Sequence, residues 1–208
     1  PDRNTPFEET MRALDDLVRQ GKVRAVGLSN FRRDEIEACM RARRVDVVQY
    51  CWNMFDRRMQ KEIYPYCREN GIGVMAYGSL AYGMLTGTFN EEMTFEKNDW
   101  RSKRGQLANI NLFQHLFGPD HYLKNLRAVE ELKGMARRYR KSLPQFALRW
   151  TLSNPVISTA LVGCRNPREV EDNAGALGWT ISDADMKEID AIFARHGVVT
   201  APDSWLEN

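Results

Sequence analysis

"DVVQYCWNMFDRRMQKEIYPYCRENGIGVMAY", residues 46–77, decides the fold. Two short apolar runs, Asp46–Trp52 and Ile72–Tyr77, are rich in β-branched and aromatic residues, the signature of buried strands. Between them Arg57–Asn70 has the spacing of an amphipathic helix, and Gly71 stops it. Strand, helix, strand in this order predicts a parallel pair.

The same unit recurs on either side. Thr5-Pro6-Phe7-Glu8 predicts a helix start, with Thr5 as cap, Pro6 in the first turn and Glu8 completing a capping box. Phe7, Met11, Leu14, Leu17 and Val18 follow at helical spacing, and Gly21 can close the helix. "KVRAVGLSN" then predicts a strand over Arg24–Ser29, and "RRDEIEACMRAR" a second helix. After a long polar insertion, roughly 88–120, Leu126, Val129, Leu132 and Met135 mark a helix over Tyr122–Arg140. Pro144–Ser153 predicts another helix and Val156–Val162 a last strand. Asn166-Pro167-Arg168-Glu169 opens a capped helix, and Ser182–His196 forms the final one.

Strands alternating with helices predict a parallel sheet buried on both faces. Four β/α units with extra helices amount to about half of a (β/α)8 barrel. The expectation is one partial barrel domain over residues 1–208, the C-terminal half of a TIM barrel.

Composition narrows the function. The 208 residues are 43% hydrophobic and 28% charged, with a formal charge of +2, too mild to imply a nucleic-acid or membrane partner. No apolar run approaches the roughly 20 residues of a membrane span, and Pro1-Asp2-Arg3-Asn4 does not resemble a signal peptide. Cys39, Cys51, Cys67 and Cys164 lie far apart without metal-ligand spacing to His115, His121 or His196. Reduced thiols and a cytoplasmic location are the expectation. The start at Pro1, without Met, predicts a fragment.

In parallel α/β architectures function collects past the carboxyl ends of strands. Those ends are Ser29-Asn30, Trp52-Asn53, Gly78-Ser79-Leu80 and Gly163-Cys164-Arg165. Ser29, Asn30 and Gln49 can hydrogen-bond a carboxamide, which needs donors and acceptors together. Tyr77 can lay an aromatic face on a flat ring. Gly78 and Gly83 let backbone N–H groups approach a phosphate, and Leu80 and Leu85 can exclude water. Arg165 precedes a helix N-terminus, which already favours an anion, and Arg168 can add a second positive charge. Such a set suits an extended dinucleotide. Each member also has a plainer reading: helix cap for Ser29-Asn30, backbone partner for Gln49, core for Tyr77, turn glycines for Gly78 and Gly83, solvated charge for Arg165.

With these residues in view, the chain resembles the aldo-keto reductase family from about Thr5 to about Ala194. "EETMRALDDLVRQGKVRAVGLSNF" resembles the segment around that family's fifth strand, "VVQYCWNMFDR" the sixth and "GIGVMAYGSLAYGMLTG" the seventh. "LPQFALRWTLSN" and "LVGCRNPREVEDN" resemble the helix before the eighth strand and that strand with its following helix. "GCRNP" with "GWTISDAD" is most similar to a bacterial branch.

The resemblance implies that Ser29, Asn30 and Gln49 hold a nicotinamide carboxamide and that Tyr77 stacks on its ring. Gly78, Ser79, Leu80, Gly83 and Leu85 would wrap the pyrophosphate. Gly163 and Arg165 would line the adenosine phosphate, with Glu169, Asp172 and Asn173 near the adenine-ribose end. A guanidinium there implies NADP rather than NAD, because a 2′-phosphate needs a cation. Two places depart from the pattern: Gly78-Ser79 stands where Ser-Pro is usual, and Glu169 where an uncharged amide is common.

The family's tyrosine, lysine, aspartate and histidine belong to its first four β/α units, so none is expected in this chain. Pro1-Asp2 matches the residues that follow the histidine. The implied parent is an NADPH-dependent reductase of a small carbonyl substrate, with this chain carrying the cofactor half and inactive alone. The rivals are a non-catalytic NADP-binding or regulatory subunit and a ligand-free half-barrel. Open sheet edges would pair with the missing half or with a second copy. The insertion, with Trp100, Phe113 and Phe117, is the expected local contributor to a substrate pocket.

Overall fold

The computed structural model describes residues 1–99, 101 and 113–201. Strands β1 (Gly27–Ser29), β2 (Val47–Cys51), β3 (Gly73–Tyr77) and β4 (Ile157–Ala160) form one parallel sheet in chain order. Ser29 lies opposite Gln49, which lies opposite Met75, while Cys51 lies opposite Tyr77. Helix α1 (Phe7–Arg19) precedes β1, α2 (Arg33–Ala42) joins β1 to β2, and α3 (Ile63–Glu69) joins β2 to β3. Between β3 and β4 lie α4 (Gln114–Phe117), α5 (Pro119–Arg138) and α6 (Leu143–Thr151). Helices α7 (Pro167–Ala174) and α8 (Asp183–His196) follow β4. Among the described residues no helix is long and apolar enough to cross a membrane.

The expected strands are all present but shorter, and burial on both faces is corrected. Val26, Leu28, Val48, Tyr50, Val74 and Ala76 are buried. Their neighbours Gly27 and Ser29 are exposed, and Val47, Gln49, Met75 and Tyr77 are half-buried. Side chains alternate across a strand, so one face carries the core while the described residues only partly cover the other. Trp52, at the end of β2, stacks on Trp150 of α6 at 5.2 Å between ring centroids. Phe55 meets Phe193 of α8 at 4.8 Å.

The helix expected over Arg57–Asn70 is split into a 3₁₀ turn, Arg58–Gln60, and α3. Pro65 accounts for the break, since its ring collides with the carbonyl four residues back and offers no N–H. Glu8 does not complete a capping box either. Pro6 occupies the cap position without a side-chain bond, Thr5 donates to Asp2 Oδ2 at 2.7 Å, and Glu8 pairs with Arg12. Where α6 begins, Ser142 and Gln145 do form a reciprocal capping box. Part of the polar insertion is ordered helix: Asn125 of α5 donates to the His115 and Leu116 carbonyls of α4 at 2.8 and 3.1 Å. Phe113 and Phe117 are buried there, whereas Trp100 and residues 102–112 lie outside the described residues.

Burial holds the His115 imidazole neutral, lowering its pKa to about 4. The unfolded chain binds this proton near pH 6.5 and the folded chain does not until about 4. Stability is therefore expected to fall as pH drops through that window, by at most about 1.4 kcal/mol per pH unit from this one group. Urea midpoints of wild type and His115→Asn between pH 7 and 4 check this. The difference between the two should shrink on acidification.

Candidate functional site

The carboxyl ends of β1, β2 and β3 bring together the residues singled out in the sequence. Ser29 Oγ donates to the Gln49 carbonyl at 3.0 Å, and the Asn30 amide donates to the same oxygen at 3.3 Å. Asn30 adopts φ 62°, a left-handed conformation that asparagine tolerates. Its Oδ1 accepts the Tyr77 hydroxyl proton at 3.1 Å. Burial, with smaller contributions from Cys51 and Asp56, pushes the Tyr77 phenol up to about 12, so it stays protonated and donating at neutral pH. Gln49 is half-buried on the same face, and its carboxamide makes no hydrogen bond among the described residues. A half-buried amide with free donors and acceptor is the feature that fits a polar ligand group.

Past β3 the chain makes a loop of unusual backbone. Gly78, Ala81, Tyr82 and Gly83 all have positive φ, at 64°, 48°, 55° and 107°. Such conformations cost energy in non-glycine residues and persist only where surroundings enforce them. Asn53 is one enforcer: its Nδ2 donates to the Gly78 carbonyl at 3.0 Å, and its Oδ1 accepts from the Phe55 amide at 2.8 Å. Arg101 is another, donating to the Tyr82 carbonyl at 3.2 Å while its guanidinium lies 4.8 Å from the Phe95 ring centroid. The Ser79 and Leu80 amide N–H groups donate to nothing among the described residues. Free amides in a tight turn are the raw material of an anion cradle.

Not every expected member faces this cradle. Ser79 is buried, and its hydroxyl donates to the Ala76 carbonyl at 3.2 Å. Leu85 belongs wholly to the core, while Leu80 is only partly buried against it. Asn53 and Arg101 were not singled out as site residues. Asn53 stands at a strand end, which was its only signal. Nothing in the sequence marks Arg101.

At β4 the residues form a second, separate cluster. Gly163 and Arg165 are exposed, and a side chain at Gly163 would meet open space. Arg165 donates from Nε and Nη2 to Glu169 Oε1 at 3.1 and 2.8 Å, and from its backbone amide to Oε2 at 2.8 Å. These bonds, the backbone one foremost, hold the Glu169 carboxyl below its usual range. Asn173 reaches Cys164 Sγ at 3.3 Å. Asp172 is turned toward α6, where Gln145 Nε2 donates to its Oδ1 at 3.0 Å and its carbonyl at 2.8 Å.

The aldo/keto reductase family model matches residues 1–194. The chain belongs to that family. It is 35% identical over 193 residues to the aldo-keto reductase YhdN of Bacillus subtilis, covering 92% of this chain and 55% of that protein. To the NADH-specific methylglyoxal reductase of Escherichia coli it is 33% identical, covering 92% of this chain and 56% of that one. The solved structure of a glycerol dehydrogenase from Gluconobacter oxydans superposes with TM-score 0.82 at 36% identity, over 94% of this chain and 57% of that chain. This aldo/keto reductase chain thus spans about half the length of the curated relatives it matches.

Proposed function

We propose that this chain supplies the dinucleotide-binding part of an NADPH-dependent aldo-keto reductase, whose parent protein reduces a small aldehyde or ketone. The observation that carries this reading is the Gln49 carboxamide, which has no hydrogen-bond partner among the described residues, beside the Ser29–Asn30–Tyr77 network. Gln49, Ser29 and Asn30 would orient the nicotinamide amide, and the Tyr77 ring would support the nicotinamide face. The reduced nicotinamide supplies a hydride to the carbonyl carbon. The Ser79 and Leu80 amides, held by the strained turn, would receive the pyrophosphate.

Proton delivery to the alkoxide is assigned to residues outside this chain. The Tyr50, Tyr122 and Tyr139 hydroxyls are committed to Phe31, Asn90 and Asp185, and the Tyr77 hydroxyl to Asn30. The remaining β/α units of a barrel would cover the open face of the sheet and pair with its edge strands β1 and β4.

Arg165 would meet the 2′-phosphate of NADPH. Fluorescence titration of the chain is expected to show saturable quenching by NADPH. Arg165→Ala should raise the NADPH Kd by about tenfold or more, because it removes a charge-assisted contact, and leave NADH within about twofold. Equal losses for both nucleotides would refute that role for Arg165. The chain alone should show no carbonyl-dependent NADPH oxidation.

A further inference from the structure

Arg165 leaves β4 with its guanidinium already engaged by an anion of the same chain. Glu169, one helical turn on, accepts from Nε and Nη2 through Oε1 and from the Arg165 amide through Oε2. Asn166 closes the ring: its Nδ2 donates to Glu169 Oε1 at 3.3 Å, and its Oδ1 accepts the Glu169 amide at 3.1 Å. A guanidinium grips a two-oxygen anion through one edge of its planar fork, and the Nε/Nη2 edge is the one the carboxylate holds. The Arg165 side chain is 89% exposed, so water and salt weaken this grip and a ligand can contest it.

We infer that Glu169 is an internal competitor of the ligand's 2′-phosphate for Arg165, and so sets how strongly the site prefers NADPH over NADH. This rests on the nucleotide-binding reading above. The argument is one of charge. A 2′-phosphate approaching Arg165 must displace a carboxylate or share the guanidinium with it, and as a near-dianion it is repelled in either case. NADH carries no such group and meets neither cost. An uncharged amide in the place of Glu169 could still accept from the Arg165 amide and side chain, without contesting the phosphate.

The test is Glu169→Gln, alone and combined with Arg165→Ala, with NADPH and NADH titrated against each by fluorescence and folding verified by circular dichroism. Like charges a few ångströms apart in water repel enough to change a Kd severalfold per unit charge. Glu169→Gln is therefore expected to lower the NADPH Kd about tenfold and to leave NADH within about twofold. In the Arg165→Ala background no guanidinium is left to compete for and only direct repulsion remains, so the same substitution should shift the NADPH:NADH ratio clearly less, by about threefold at most, which a merely structural role for Glu169 would not require. A ratio that stays at the wild-type value, or an effect that persists undiminished without Arg165, overturns the inference while nucleotide binding stands. If neither nucleotide binds any folded variant, the binding reading falls and this inference with it.

Discussion

Replacing Asp56 with alanine is expected to destabilise the chain by about 1–3 kcal/mol, because it removes the buried carboxylate that accepts two hydrogen bonds from the Arg58 guanidinium. Asp56 and Arg58 side chains are only 4% and 7% exposed. Arg58 Nε donates to Asp56 Oδ1 at 2.7 Å, and a second bond joins Nη2 to Oδ2. The backbone around them is paired as well: Asn53 and Asp56 exchange amide–carbonyl bonds of 3.1 and 3.0 Å. A lower urea midpoint with an unchanged slope would report the loss. The double variant Asp56→Ala with Arg58→Met should recover much of it, since removing both charges costs less than removing one. A loss below about 1 kcal/mol for Asp56→Ala would show that water reaches the pair and that its burial is not what holds the turn. The same turn presents Asn53 to the Gly78 carbonyl, so nucleotide affinity should weaken alongside stability.

What the sequence made legible, and what it hid, follows from the range of the interactions involved. The four strands and the places of Ser29, Asn30, Gln49 and Tyr77 on or just past them were readable because each depends on a local apolar run and on the rule that sites gather at carboxyl ends. The break before α3 was readable in principle, since Pro65 is a local signal, but the periodicity around it masked the proline. Burial on one face was not readable, because apolar runs such as VVQYC look alike whether one face or both are packed. Ser79 and Leu85 were assigned to a ligand from their place in a motif, but the direction of a side chain within a turn is a tertiary fact, and it leaves Ser79 its backbone amide rather than its hydroxyl for that role. Ser79 turns in to Ala76 and Leu85 into the core. The Arg165–Glu169 pair had a visible i, i+4 spacing. Its consequence for cofactor choice needed the observed sharing of one guanidinium edge.

Gly83→Ala is expected to damage both stability and nucleotide binding more than Gly78→Ala, although both glycines have positive φ. Gly78 at 64° lies in the left-handed region, where a non-glycine residue costs about 1–2 kcal/mol. Its added Cβ would stand 3.0 Å from Cys51 Sγ, tight against a buried neighbour. Gly83 at φ 107° and ψ −17° lies outside that region, which costs about 1–3 kcal/mol in strain. Its Cβ would fall 2.5 Å from Phe89 Cζ, an approach that cannot stand. Phe89 has little room to yield: it is buried, Phe95 packs against it at 5.5 Å, and the Arg101 guanidinium lies over its ring at 5.8 Å. Overpacking adds about another 1–3 kcal/mol. The least costly relief is for the loop itself to move, and the loop carries the Ser79 and Leu80 amides proposed to receive the pyrophosphate. Below its melting temperature, Gly83→Ala should therefore remain folded yet bind NADH and NADPH at least about tenfold more weakly, with Gly78→Ala in between. Losing affinity for both nucleotides alike separates this loop from Arg165, whose effect depends on the 2′-phosphate. Wild-type affinity in a Gly83→Ala chain of lowered stability would mean the turn serves the core and not the ligand.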